Sequence, residues 1–227
     1  MNLTYIIKRS SRRKKITITV ERDRSVVIHA PESISEEIIM KVIESKRQWL
    51  YEKTKHPQKY NEPLHPPGKE LVDGESALFL GQAYQIRLTD EESEKIQFKR
   101  AFLIPRSFSA DREKKMRDWY VDKAREEILP RVVSFARYLG VKYSKAKIVD
   151  NRYRWGSCTI KDNVHLNWRL IKAPMFVIDY VIVHELTHLL ENNHTPRFWN
   201  IVHAQSPRME KARQWLLENG QILEEEI

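Results

Sequence analysis

Two histidines and a glutamate interrupt what is otherwise an apolar helix. From Phe176 to Leu190 the chain runs through Phe176, Val177, Ile178, Tyr180, Val181, Ile182, Val183, Leu186, Leu189 and Leu190, with His184, Glu185 and His188 set among them. A helix that is apolar on nearly every side is a buried helix. Imidazoles and a carboxylate are expensive in such a place unless something satisfies them. The spacing identifies the partner. Residues four apart lie one turn apart on the same face, so His184 and His188 can grip one ion. Glu185 lies about 100° further round the helix. It is close enough to act on a water at that ion, and rotated enough not to bind the ion itself. That is the general-base position of a zinc hydrolase.

A catalytic zinc site needs a third protein ligand and an open fourth position. Cys158 is the sole cysteine among 227 residues, so neither a thiolate cage nor an internal disulfide is available, and a reducing compartment is the natural setting. Histidine is the remaining choice. His194 lies six residues past His188, between the helix-ending pair Asn192-Asn193 and the helix-starting pair Thr195-Pro196. A tight turn there folds His194 back towards the ion. The spacing equals that of the metzincins, but Glu191 stands where those enzymes use glycine, so the metzincin fold is not carried over. His165 is a surplus histidine and reads as an exposed strand residue.

Periodicity gives the rest of the chain an α+β organisation. Ile16, Ile18 and Val20 alternate with threonines as a half-buried strand, and Val26-Val27-Ile28 leads its return after a polar turn. A helix is expected from Ser33 or Ser35 to about Lys55, with Ile39, Ile43, Trp49 and Leu50 on one face. Residues 56–68 hold four prolines and form a linker-like stretch. Residues 71–105 read as a small β layer. A long helix follows, ending at Leu139 before Gly140, with Pro130 expected to kink or split it. Val164–Leu170 alternates like a strand. Pro174, Thr195-Pro196 and Ser206-Pro207 each mark a helix start, and Gly220 a helix end. The expected organisation is a β-rich module with helices over residues 1–108, joined to a catalytic domain over residues 109–227.

Several segments carry a family likeness: Arg154-Trp155-Gly156-Ser157-Cys158, Leu166-Asn167-Trp168-Arg169-Leu170, Asp179-Tyr180-Val181, the His184–His188 helix, Asn193-His194-Thr195 and Phe198-Trp199. Together with the basic N-terminal hairpin, Lys46–Leu50 and Leu80-Gly81, they resemble the YgjP-like metal-dependent hydrolases, relatives of the SprT-like and WLM metallopeptidases. The resemblance spans nearly the whole chain. It implies a zincin-like catalytic domain, its active-site helix beside a small sheet, with Zn2+ on His184, His188 and His194 and with Glu185 as base. It also implies a peptidase-like activity or, as in some members, a nucleoside triphosphate (UTP) pyrophosphatase.

Arg154, Asn167 and Arg169 are the candidate substrate-binding residues, on or beside the Val164–Leu170 strand. An arginine there can hold an oxyanion or a phosphate; a solvated strand face or a structural ion pair is the plainer alternative. Asp179 or Glu210 can orient a ligand histidine. Trp155, Trp168, Phe198 and Trp199 read as core anchors.

The net charge of +9 hints at an anionic partner. It is concentrated early: residues 1–58 hold 13 Lys+Arg against 7 Asp+Glu, whereas residues 145–227 hold 11 against 10. Arg12, Arg13, Lys14 and Lys15 are therefore a solvated turn, a nucleic-acid contact or a funnel for a phosphate-rich substrate. A basic nucleic-acid-binding protein with a structural zinc is the non-enzymatic alternative. No apolar run reaches signal-peptide or membrane-spanning length, so the expectation is a soluble cytoplasmic protein.

Overall fold

Alternating apolar residues in the first segment build a three-stranded sheet. A computed structural model describes residues 4–20, 25–54, 69–151 and 154–224. Its contacts divide the chain into two compact units, residues 1–64 and 65–227. In the first unit β3 (Val26–Pro31) is central, parallel to β1 (Tyr5–Ser10) and antiparallel to β2 (Thr17–Val20). The expected single helix is two, α1 (Glu36–Ser45) and α2 (Arg47–Thr54). Lys46 closes a tight turn through its N–H to the Ile43 carbonyl. The bend lets Leu50 join Ile28, Ile39 and Ile43 in one buried cluster, while Trp49, expected on the buried face, is exposed. The linker-like stretch 56–68 lies outside the described residues.

The second unit opens with a four-stranded sheet, order β4-β5-β7-β6, from β4 (Ser76–Phe79), β5 (Gln82–Thr89), β6 (Gln97–Phe98) and β7 (Phe102–Pro105). The sequence reading grouped these strands with the first module, but the units divide at residue 64. An aromatic layer accounts for the difference: Trp119 of α3 (Arg112–Leu139) sits 5.1 Å from Phe79 and 5.0 Å from Phe102, ring centre to ring centre. The sheet and α3 thus share one core. Pro130 does not split α3, which runs on between the fully buried Ile128 and Val132. Gly140 ends it at φ 67°.

Two elements then frame the site. A second sheet has order β8-β10-β9, with β10 (Asn163–Asn167) parallel to β8 (Lys145–Val149) and antiparallel to β9 (Gly156–Cys158). The strand expected to reach Leu170 stops at Asn167, because the Asn167 side chain caps a 3-10 turn over Trp168–Lys172 by accepting the Arg169 N–H. Then come α4 (Met175–Thr187), α5 (Pro196–Gln205) and α6 (Met209–Leu223). Helix α4 is buried on nearly every side, as its composition requires. Gly220 does not end α6; it is buried within it, where a Cβ would stand 3.5 Å from the Trp155 ring.

The first sheet of this unit anchors the start of α4. The Leu80 and Gly81 N–H groups donate to the Ile171 and Lys172 carbonyls, each at 2.9 Å. Both residues have positive φ, 49° and 81°, as a two-residue hairpin turn demands. Any Cβ on Gly81 would meet Pro174 at 2.6 Å, so glycine lets the turn seat directly on the helix start. No helix among the described residues is long and apolar enough to cross a membrane.

Candidate metal centre

Helix periodicity places His184 and His188 together, ring centres 5.2 Å apart. The third imidazole arrives through the turn that follows. The Leu190 and Glu191 N–H groups both donate to the Thr187 carbonyl, the Thr195 N–H to the Asn193 carbonyl, and the Thr195 hydroxyl caps α5 by accepting the Phe198 N–H. Pro196 fills the first helical position. This reversal sets the His194 ring 4.9 Å from each of the other two. The Nε2 atoms of His184 and His194 are 3.0 Å apart, and one nitrogen from each of the three rings lies within 4.8 Å of the others. Phe198 forms the floor, 4.7–4.9 Å from all three rings.

The donor set fits a divalent ion. His188 Nδ1 faces the Glu191 carbonyl at 3.3 Å. That contact is a hydrogen bond when the proton is on Nδ1, which leaves the Nε2 lone pair for a metal. Burial, with His188, His194 and Arg213 nearby, pushes His184 down to about 3; burial and His188 also lower His194. These imidazoles stay neutral, as ligation requires. Three imidazole nitrogens suit zinc and its late first-row neighbours.

Glu185 is buried behind the triad, with burial pushing its carboxyl up to about 8 against the pull of Arg154 and of a hydrogen bond from the Cys158 backbone. The carboxylate leans on β9. A Cβ at Gly156 would stand 2.5 Å from Glu185 Cγ and 2.7 Å from Oε1. Only glycine admits this approach. The same neighbour, after burial, raises the Cys158 thiol.

The other residues singled out from the sequence divide clearly. Arg154 is exposed and its charge acts on Glu185. Asn167 is buried and its amide is consumed by backbone, donating to the Asn151 carbonyl at 2.6 Å and the Arg154 carbonyl at 3.1 Å. Arg169 pairs with Asp150 at 2.5 Å and stacks on Trp168, while Arg117 holds the other Asp150 oxygen. Asn167 and Arg169 thus each have protein partners. His165 pairs in register with Ser157, alternating with the positions that bring Gly156 and Cys158 to Glu185. It therefore points away from α4. Asp179 forms a two-pronged pair with Arg131 at 2.6 and 2.7 Å, tying α4 to α3, and Glu210 pairs with Arg213. The Glu191 carbonyl takes the orienting role expected of a carboxylate. Arg12, Arg13, Lys14 and Lys15 are exposed between β1 and β2 of the first unit.

Three contacts had no sequence reading: the seat of Glu185 on Gly156, the Glu191 carbonyl on His188, and Arg213, which stacks 5.0 Å from the centre of the Trp199 ring. The glycine between Trp155 and Ser157 was the one available signal.

A family model described as "YgjP-like, metallopeptidase domain" matches residues 14–219. Comparison with the curated proteins gives no match. Among solved structures, the metallopeptidase zymogen of Pyrococcus abyssi abylysin is 18% identical, with TM-score 0.39 over 41% of this chain and 95% of that one. The zymogen of Methanocaldococcus jannaschii jannalysin is also 18% identical, with TM-score 0.37 over 40% and 95%.

Proposed function

This chain belongs to the YgjP-like metallopeptidase family, and we propose that it is a zinc-dependent peptidase of zincin-like architecture, with His184, His188 and His194 as ligands and Glu185 as general base. The observation that carries this reading is the convergence of three imidazole nitrogens within 4.8 Å beside a buried glutamate. Among the described residues no carboxylate or thiolate joins the three. Three protein ligands are the catalytic number, whereas a structural zinc takes four.

The bound ion would supply Lewis acidity, polarising a water and the scissile carbonyl. The protein supplies the rest. Glu185 Oε accepts a proton from the attacking water and returns it to the leaving nitrogen. Its burial keeps the proton's affinity for carboxylate high, while Arg154 and the Cys158 N–H favour the ionised form that starts the cycle. Strand β9 is an edge of its sheet, so an extended peptide can pair along it and bring its carbonyl over the triad. Arg154, next to that strand, would meet the developing oxyanion. Asn167 donates to the Arg154 carbonyl and so helps hold that residue's backbone in place.

The test compares wild type with Glu185→Gln on peptide and nucleoside triphosphate panels, with metal content measured in both. Peptide cleavage that falls about 10²–10⁴-fold in the variant at unchanged metal content supports the reading. Equal activity in the two proteins refutes the role of Glu185. Pyrophosphate release without peptide cleavage transfers the site to nucleotides.

A further inference from the structure

Arg213 of α6, paired with Glu210, lies near the triad without a part in the chemistry above. Trp199 stacks on His194, rings 5.4 Å apart and inclined by 22°, and lies 5.8 Å from His184. The Arg213 guanidinium sits over that same indole. One ring therefore separates this cation from two of the three imidazoles. Arg208, just before α6, and Lys211 within it stack on Phe176 at 5.1 and 5.5 Å, so with Arg213 the start of this helix carries three cations, each braced by an aromatic ring.

A cation beside a site for a cation is unfavourable by itself, and such a placement is useful where an anion completes the set. The existing anion is weakly held. Glu210 contacts Arg213 at 3.3 and 3.4 Å, one turn away on the same helix, with side chains 49% (Arg213) and 70% (Glu210) exposed. Exposed pairs of this kind contribute little. Stacking on Trp199 pre-orders the guanidinium, and displacing the exposed Glu210 carboxylate would open its N–H edge to a two-pronged carboxylate bond. We propose that Arg213 is a specificity residue that takes a substrate carboxylate next to the scissile bond, supplied by an acidic side chain or by the peptide's own C-terminus. This rests on the peptidase reading above.

The experiment uses the full-length, zinc-loaded protein and matched peptides: free acid against C-terminal amide, and Glu against Gln at each position flanking the cleavage point. Wild type should cleave the carboxylate-bearing member about tenfold better in kcat/KM, mainly through KM. Arg213→Ala should erase that preference and leave the neutral peptides within about twofold. Arg213→Glu should favour lysine-bearing peptides instead. Which pair shows the preference identifies the source of the carboxylate. Binding of the same labelled peptides to zinc-loaded Glu185→Gln reads the preference without turnover. Equal binding of acid and neutral members, or equal losses on both in Arg213→Ala, overturns the proposal. A binding preference that depends on Arg213 in a protein that cleaves no peptide sustains it and overturns only the peptidase chemistry.

Discussion

Gly156→Ala is the sharpest test of how the base is held. The added Cβ would lie 2.5 Å from Glu185 Cγ, where ordinary contact begins near 3.4 Å, so one partner must retreat by about 0.9 Å. Glu185 stands on a helix buried on nearly every side, and its Cγ is too near the backbone to swing clear. Strand β9 is a three-residue edge strand, so it gives way more readily. Overpacking costs about 1–3 kcal/mol, and a yielding edge puts this case near 1 kcal/mol. The catalytic cost is larger. A displacement near 1 Å between base and bound peptide can cost about 10²-fold, and here the base and the strand proposed to carry the peptide are pushed apart directly. The expected result is kcat/KM on a fluorogenic peptide down about 10²-fold, mostly in kcat. The urea midpoint should be little changed and zinc stoichiometry unaltered, since the close contacts at Gly156 are with Glu185 and not with the imidazoles. Wild-type kcat/KM in Gly156→Ala would refute the seat of Glu185 on β9. Loss of zinc in step with activity would refute the separation of the base from the metal ligands.

Three further outcomes follow from contacts elsewhere in the unit. In metal-free protein, His184 is depressed from 6.5 to about 3, so below pH 6.5 the unfolded chain binds the extra proton and stability falls towards pH 3. Glu185 is raised from 4.5 to about 8, so between those values the folded state binds the extra proton and stability falls as pH rises. Urea titrations across pH should show both limbs, with Glu185→Gln flattening the alkaline one. Gly81→Ala should destabilise by about 3 kcal/mol in urea unfolding, combining a left-handed residue with a Cβ 2.6 Å from Pro174. Asp179→Ala should lower stability by about 1–2 kcal/mol through loss of the half-buried Arg131 pair, yet leave zinc content intact; loss of zinc at unchanged stability would restore Asp179 as a partner of the ligand histidines.

The parts of the fold written in local spacing were legible. A helix apolar all round, two histidines four apart, and the Asn-Asn and Thr-Pro punctuation around His194 each depend on residues within one or two turns. The observed α4, its end and the capped start of α5 follow them. Places where the chain departs from its regular pattern were not legible. Lys46 bends a helix so that Leu50 reaches the first unit's core. Asn167 turns a strand into a 3-10 helix by capping it with its own side chain. Gly220 reads as a stop signal but continues α6.

The candidate polar residues followed the same division. Alternation along residues 164–170 named Val164, Leu166, Trp168 and Leu170 as the buried face, as they are, yet it set Asn167, which is buried too, on the polar face and could not say whether Asn167 and Arg169 met solvent, substrate or protein. That depends on Asp150 and on the Asn151 and Arg154 carbonyls, which come from elsewhere in the chain. A strand's alternation names a face and leaves its neighbour unnamed. Pairing supplies the neighbour: β10 is flanked on both sides by β8 and β9, so it has no free edge to offer a peptide. The edge strand beside α4 is β9, whose glycine presses on the buried glutamate. On the proposed reading, one short strand both seats Glu185 and offers the docking edge for a peptide, and for that reason a single methyl group at Gly156 should reach catalysis before it reaches stability.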